Sequence, residues 1–133
     1  MGVGLLRTHA LIMGAVLSAV VAGQDARSEA RPCREHPQLA GPCFRVRGRM
    51  NYWNGTPSVR IWKVGTRRML GVSEGRFSRE GYQNLPPALA STLSWDTDLF
   101  ADFMVCPFTR ERPGVMRLVC VDSATNLAVR PRR

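Results

Sequence analysis

The chain has 133 residues and carries 19 Lys+Arg against 10 Asp+Glu, a formal charge of +9. That length makes one domain and leaves no room for a multidomain enzyme or a large doubly wound sheet. The charge disfavours cationic partners and favours anionic ones, such as lipopolysaccharide, acidic glycans, nucleic acid or anionic lipid.

Residues 1–23 have the pattern of an export signal. Arg7 and His9 form a short basic start, Ala10 to Gly23 is uncharged and apolar, and the run ends in small residues. Cleavage is expected just before Gly23 or Gln24. The apolar run is shorter than the roughly 20 residues of a membrane span, so no stable insertion is expected after cleavage. Removing Arg7 leaves 18 cations against 10 anions, and of those 18 only Lys63 is lysine. A GC-rich genome writes arginine for lysine without functional pressure, so that bias alone assigns nothing.

Residues 24–42 are polar and contain proline, with no apolar period, and are expected to form an extended arm pinned through Cys33. Residues 43–133 are expected to form the folded domain. From Cys43 to Tyr52 the residues alternate: Phe44, Val46, Gly48, Met50 and Tyr52 on one side, Arg45, Arg47, Arg49 and Asn51 on the other. Period two is the mark of a half-buried strand. Asn54-Gly55 supplies a turn and Ser58 to Val64 returns as a second strand, making a hairpin. A third strand is expected over Arg67 to Val72, followed by a Gly- and Ser-rich loop with a short strand near Phe77. Asn84 is placed to cap a brief helix with Pro86 and Pro87 in its first turn and Leu89 and Leu93 behind. Phe100 to Phe108 and Val115 to Val121 form a second hairpin across Pro113-Gly114, and Thr125 to Arg130 a last strand before a basic tail. The fold expected is all-β, a small antiparallel β-sandwich with one short helix and two disulfides.

Cys33, Cys43, Cys106 and Cys120 all follow the signal, and in an oxidising compartment an even count implies two bridges with three possible connectivities. Cys106 and Cys120 flank the Pro113-Gly114 turn at similar distance, as a cross-strand pair would. The connectivity favoured is Cys106–Cys120 with Cys33–Cys43. No Cys-x-x-Cys pair occurs and His36 is the only histidine after the signal, so neither a metal nor a cofactor is expected.

Three patterns bear on chemistry. Gly71-Val72-Ser73-Glu74-Gly75 matches a nucleophile elbow, but its histidine precedes the serine and no helix pattern follows, so a turn is the expectation. Asp96, Asp98 and Asp102 cluster without the spacing of a calcium loop, and Asp96 and Asp98, as adjacent alternate residues, are poorly placed to straddle a substrate bond. Arg45, Arg47 and Arg49 share one strand face about 7 Å apart, a row of forked donors suited to phosphate, sulfate or carboxylate. Arg60 or Lys63 extends that row, depending on register, and Tyr52, Trp53 and Trp62 lie near it. Asn54-Gly55-Thr56 is formally a glycosylation sequon that the turn explains completely.

Val46-x-Gly48-x-Met50, then Asn54-Gly55-Thr56-Pro57, then Val59-x-Ile61-Trp62, resembles the opening of transthyretin-like secreted β-sandwich domains. The segment spans about a fifth of the chain. The acidic segment usual after the second strand is replaced by Arg67-Arg68, and no ligand-binding residue carries over. The resemblance implies a sandwich and no activity.

The function expected is a non-catalytic, periplasmic or secreted binding module that presents Arg45, Arg47, Arg49, Arg60 and Lys63 to an anionic glycan, lipopolysaccharide or protein. Nucleic acid is not the expected partner. The alternatives are a protein-interaction or inhibitor domain acting through loops around Tyr82 and Trp95, and a small hydrolase using Asp96, Asp98 or His36.

Overall fold

The computed structural model describes residues 2–4 and 29–133. The expected export signal therefore lies almost wholly outside the described residues, and the arm is described from residue 29.

Five strands follow in order: β1 (Phe44–Tyr52), β2 (Val59–Lys63), β3 (Met69–Val72), β4 (Thr97–Pro107) and β5 (Arg117–Pro131), with a short helix α1 (Pro87–Thr92) between β3 and β4. They form one sheet closed on itself in the order β1-β2-β3-β5-β4. The all-β class, short helix and two disulfides are as expected. The two packed layers are opposite walls of that closed sheet. One pair departs from the antiparallel expectation, since β3 and β5 run parallel. The parallel pair is possible because the long 73–96 connection and β4 intervene between β3 and β5. Five strands closed in this way make a small barrel of the kind seen in OB folds, an architecture that assigns no activity by itself.

Period-two alternation fills the interior. Val46 and Met50 of β1, Ile61 of β2, Leu70 and Val72 of β3, Leu99 and Phe103 of β4, and Val119 and Val121 of β5 are buried together. Each such side chain contributes about 1.5–3 kcal/mol relative to exposure. Leu89 and Leu93 of the α1 region join the same cluster. Two prolines open α1, and Leu93 ends it by turning extended. Asn84 does not cap this helix. Its amide instead donates to the carbonyls of Ser73 (3.1 Å) and Phe77 (3.3 Å), holding the loop beneath.

Barrel closure is tightest at Gly48. A Cβ there would collide with Ile61 Cγ2 and come within 3.3 Å of Phe103. The expected strand near Phe77 is absent, since that residue lies in a turn and stacks on Phe108 with ring centroids 4.6 Å apart. The expected strand at Thr125 is the second half of β5, which runs unbroken for 15 residues. Its pairing with β4 shifts register twice. Asn126, at φ 52°, takes up a left-handed conformation that asparagine tolerates better than most residues.

The bridges join Cys33 to Cys120 and Cys43 to Cys106, which corrects the favoured connectivity. Cys106 and Cys120 are indeed cross-strand partners. Residues 33–43 nevertheless pass close enough over that pair for each cysteine to take a partner from this segment. The loops closed, with separations of 87 and 63 residues, are far longer than the expected ones. In the chain-entropy model each contributes about 4.5 kcal/mol. Two disulfides are consistent with an extracytoplasmic protein.

The described arm is more than extended. Cys33–Glu35 forms a 3-10 turn, Cys33 and His36 are buried, and Phe77, Phe108, Cys106 and Cys120 complete a second small core. Arg34 reaches Asp122 at 2.8 Å and the Arg34 backbone N–H donates to the same carboxylate. The Gln38 N–H donates to His36 Nδ1 at 3.1 Å, so Nε2 carries the proton and donates to the Phe77 carbonyl. Burial pushes His36 below the ordinary imidazole value, Arg79 adds to that, and the Phe77 carbonyl opposes it.

Two outcomes follow for stability. Gly48→Ala is expected to reduce the unfolding free energy by about 1–3 kcal/mol, read as a lower denaturant midpoint with an unchanged slope, because overpacking there must move Ile61 or the backbone. For His36, the unfolded chain takes up a proton as pH falls through about 6.5 while the folded chain resists until lower pH. Stability should therefore decline across that window, and His36→Gln should flatten this part of the pH profile of urea unfolding.

Candidate functional site

The parity of β1 decides what faces solvent. With Val46, Gly48 and Met50 turned inward, Arg45, Arg47, Arg49 and Asn51 lie on the outer wall. Antiparallel register carries this face across the sheet. Arg49 stands opposite Trp62 on β2 and Phe100 on β4, Asn51 opposite Arg60, and Arg47 opposite Asp102. Arg60 thus joins the arginine row. Lys63 does not: it pairs with Gly48 and shares that residue's inward parity, at the end of the strand. There it lines a separate depression with Arg67 and Arg68.

Each cation on the wall has a distinct setting. Arg45 is exposed and makes no ion pair among the described residues. Arg47 lies 3.7 Å from Asp102, whose other oxygen accepts from the Asn126 amide at 2.7 Å. At half exposure this pair is worth under about 1 kcal/mol, so Arg47 remains available to a stronger anion. Arg49 lies over the Trp62 ring, 5.0 Å from its centroid, and its buried Nε has no hydrogen-bond partner. Trp62 is fixed in turn by donating to the Thr66 carbonyl at 2.7 Å.

A second indole is held at the end of the row. Trp53 Nε1 donates to Asn51 Oδ1 at 2.6 Å, and the Asn51 amide donates to the buried Asp98 at 2.7 Å. Arg60 and Arg132 both approach this ring, at 5.6 and 5.9 Å from its centroid. Arg132 also donates to the Tyr52 carbonyl at 2.8 Å, so the basic tail is folded onto the wall. Sequence reasoning placed Trp53 near the row and missed Arg132. The only signal was the basic tail itself, because a tail's docking place is not encoded by any periodicity.

The arrangement presents guanidinium edges beside flat aromatic rings, with Asp98 and Asp102 as neighbouring acids already hydrogen-bonded. Such a wall can donate paired hydrogen bonds to an oxyanion while an apolar ring face meets an indole.

The other candidate groups do not converge. Asp98 is held by Asn51, Asp102 by Arg47 and Asn126, and the Asp96 carbonyl accepts from the Arg132 N–H. His36 is engaged by Phe77 and Gln38 beneath the arm. Ser73 is buried with an unpartnered hydroxyl, and the chain after it enters a turn rather than a helix. Among the described residues, the one group with metal-ligand proximity is Cys33, Cys106 and Cys120, all consumed in disulfides.

The indole relay has a measurable consequence. Trp53→Phe should cost about 1 kcal/mol, one neutral hydrogen bond, whereas Asn51→Ala strands the Asp98 carboxylate and should cost about 2–4 kcal/mol by equilibrium unfolding. Equal costs would contradict the relay. No protein-family model, curated protein or solved structure matches this chain.

Proposed function

We propose that this chain is an exported, non-catalytic binding module, working in the periplasm or after secretion, that holds an anionic partner against the outer wall of β1 and β2. An acidic glycan or lipopolysaccharide suits the wall best. The observation that carries this reading is the pairing of guanidinium with indole: Arg49 over Trp62, and Arg60 with Arg132 about Trp53. Stacked guanidinium groups keep their N–H edges for sulfate, phosphate or carboxylate oxygens, and their lost rotamer freedom lowers the cost of binding. Arg45 and Arg47 extend the donor row along the strand.

One observation favours a second reading, a protein-interaction or inhibitor module. Trp95 is 54% exposed and stacks on Tyr52, a surface anchor of the kind found at protein interfaces. Tyr82 does not belong to that surface, since it packs on His36 and Arg31.

The test is binding to heparin and to lipopolysaccharide by titration calorimetry at two salt concentrations. An Arg45→Ser/Arg47→Ser/Arg49→Ser variant should bind at least about tenfold more weakly, because one charge-assisted hydrogen bond is worth about 1.5–3 kcal/mol. Wild-type binding should also weaken as salt rises. A triple variant that binds as tightly as wild type would overturn the proposal.

A further inference from the structure

One end of the barrel carries a second cationic surface, built from the β2–β3 and β4–β5 turns. The first turn is tight: the Lys63 N–H donates to the Arg68 carbonyl and the Thr66 N–H to the Lys63 carbonyl, with Gly65 at φ 79°. The second is braced by Arg112 pairing with Val115 and by the Thr109 hydroxyl accepting from the Leu118 N–H at 2.9 Å. An ion pair between Arg68 and Glu111 ties the two turns together.

Between them lies a depression of about 290 Å³. Five cations line it (Lys63, Arg67, Arg68, Arg112 and Arg117), and Glu111, already paired with Arg68, is its one acid. Each turn also exposes an apolar residue: Val64 is 43% and Val115 63% exposed. Cations around this open depression, flanked by apolar side chains on braced turns, match the two layers of an anionic lipid surface. Headgroup phosphates meet the arginines, and the valines reach the acyl boundary.

We propose that this end of the barrel docks on an anionic lipid surface, seating a headgroup phosphate between the two turns. This goes beyond the binding of an anionic partner by the β1–β2 wall and uses none of that wall's residues.

Co-sedimentation tests the proposal, using the full chain with vesicles of phosphatidylcholine alone and of phosphatidylcholine mixed equally with phosphatidylglycerol. Wild type should pellet with the mixed vesicles and remain in solution with the neutral ones. Arg67→Ser/Arg112→Ser should bind the mixed vesicles roughly thirtyfold more weakly, since each surface cation contributes about 1 kcal/mol, a factor of about five. Val64→Ser/Val115→Ser should lose the part of binding that survives high salt. All four positions are exposed or nearly so, and unchanged thermal unfolding confirms folding of each variant. Arg45→Ser/Arg47→Ser/Arg49→Ser, although it removes three charges, should weaken vesicle binding less than Arg67→Ser/Arg112→Ser does, which separates this surface from the β1–β2 wall. Absence of wild-type binding to the mixed vesicles overturns the proposal, as does undiminished binding by both turn variants. Loss confined to the Arg45 triple variant overturns it too.

Discussion

Closure of the sheet through β1 is the constraint on which the rest depends. This strand pairs with β2 on one edge and β4 on the other, over residues 48–52 and 44–50 respectively. Pairing on both edges leaves no freedom of parity: a slip of one residue would bury Arg45, Arg47 and Arg49 and expose Val46 and Met50. Burying three guanidinium groups costs several kcal/mol each after relaxation, so the slipped state is excluded. The same lock that packs Met50 against Ile61 therefore aligns the arginines and sets Arg49 across from Trp62. Gly48 permits this by letting β2 and Phe103 approach where any side chain would intervene.

The arm and the disulfides stabilise this closure from outside. Cys120 sits on β5 and Cys106 on β4, and each is bound to the 33–43 segment that crosses them. Phe77 and Phe108 pack under that segment, Phe108 against its His36, forming a core separate from the barrel interior. A small domain with few buried side chains gains from cross-links of long span, which act on the unfolded chain. The Cys43–Cys106 bridge stands at one end of the arginine row, two residues before Arg45, and the other end is ordered by Asp98, Asn51 and Trp53 in series.

What could be read in advance follows a physical division. β1 and its hairpin with β2 were legible because alternation records which face is buried, and Asn54-Gly55 records a turn. Register was not legible: whether Arg60 or Lys63 joined the arginine row depended on the length of the turn, and the Asn51–Arg60 pairing settled it. Closure and the parallel β3–β5 contact were hidden because edge pairing leaves no periodic trace. The cysteine partners were misassigned although Cys106 and Cys120 do face each other, since neighbours on paired strands need not be bonded. Asn84 had the residue type of a cap but spends its amide on two loop carbonyls. The arginine stripe was visible as residues, while its stacking on Trp62 and the return of Arg132 to Trp53 required tertiary structure.

The three tryptophans provide an internal control for the central claim, that the outer wall of β1 and β2 is the binding surface. Trp53 and Trp62 lie in it beside guanidinium groups, and Trp95 lies outside the arginine row, stacked on Tyr52. Titrating a ¹⁵N-labelled chain with a heparin oligosaccharide and following the three indole N–H resonances tests that claim most directly. The account predicts that Trp53 and Trp62 shift progressively and saturate while Trp95 stays in place. A shift confined to Trp95, or no indole shift under conditions where binding is saturated, would contradict it.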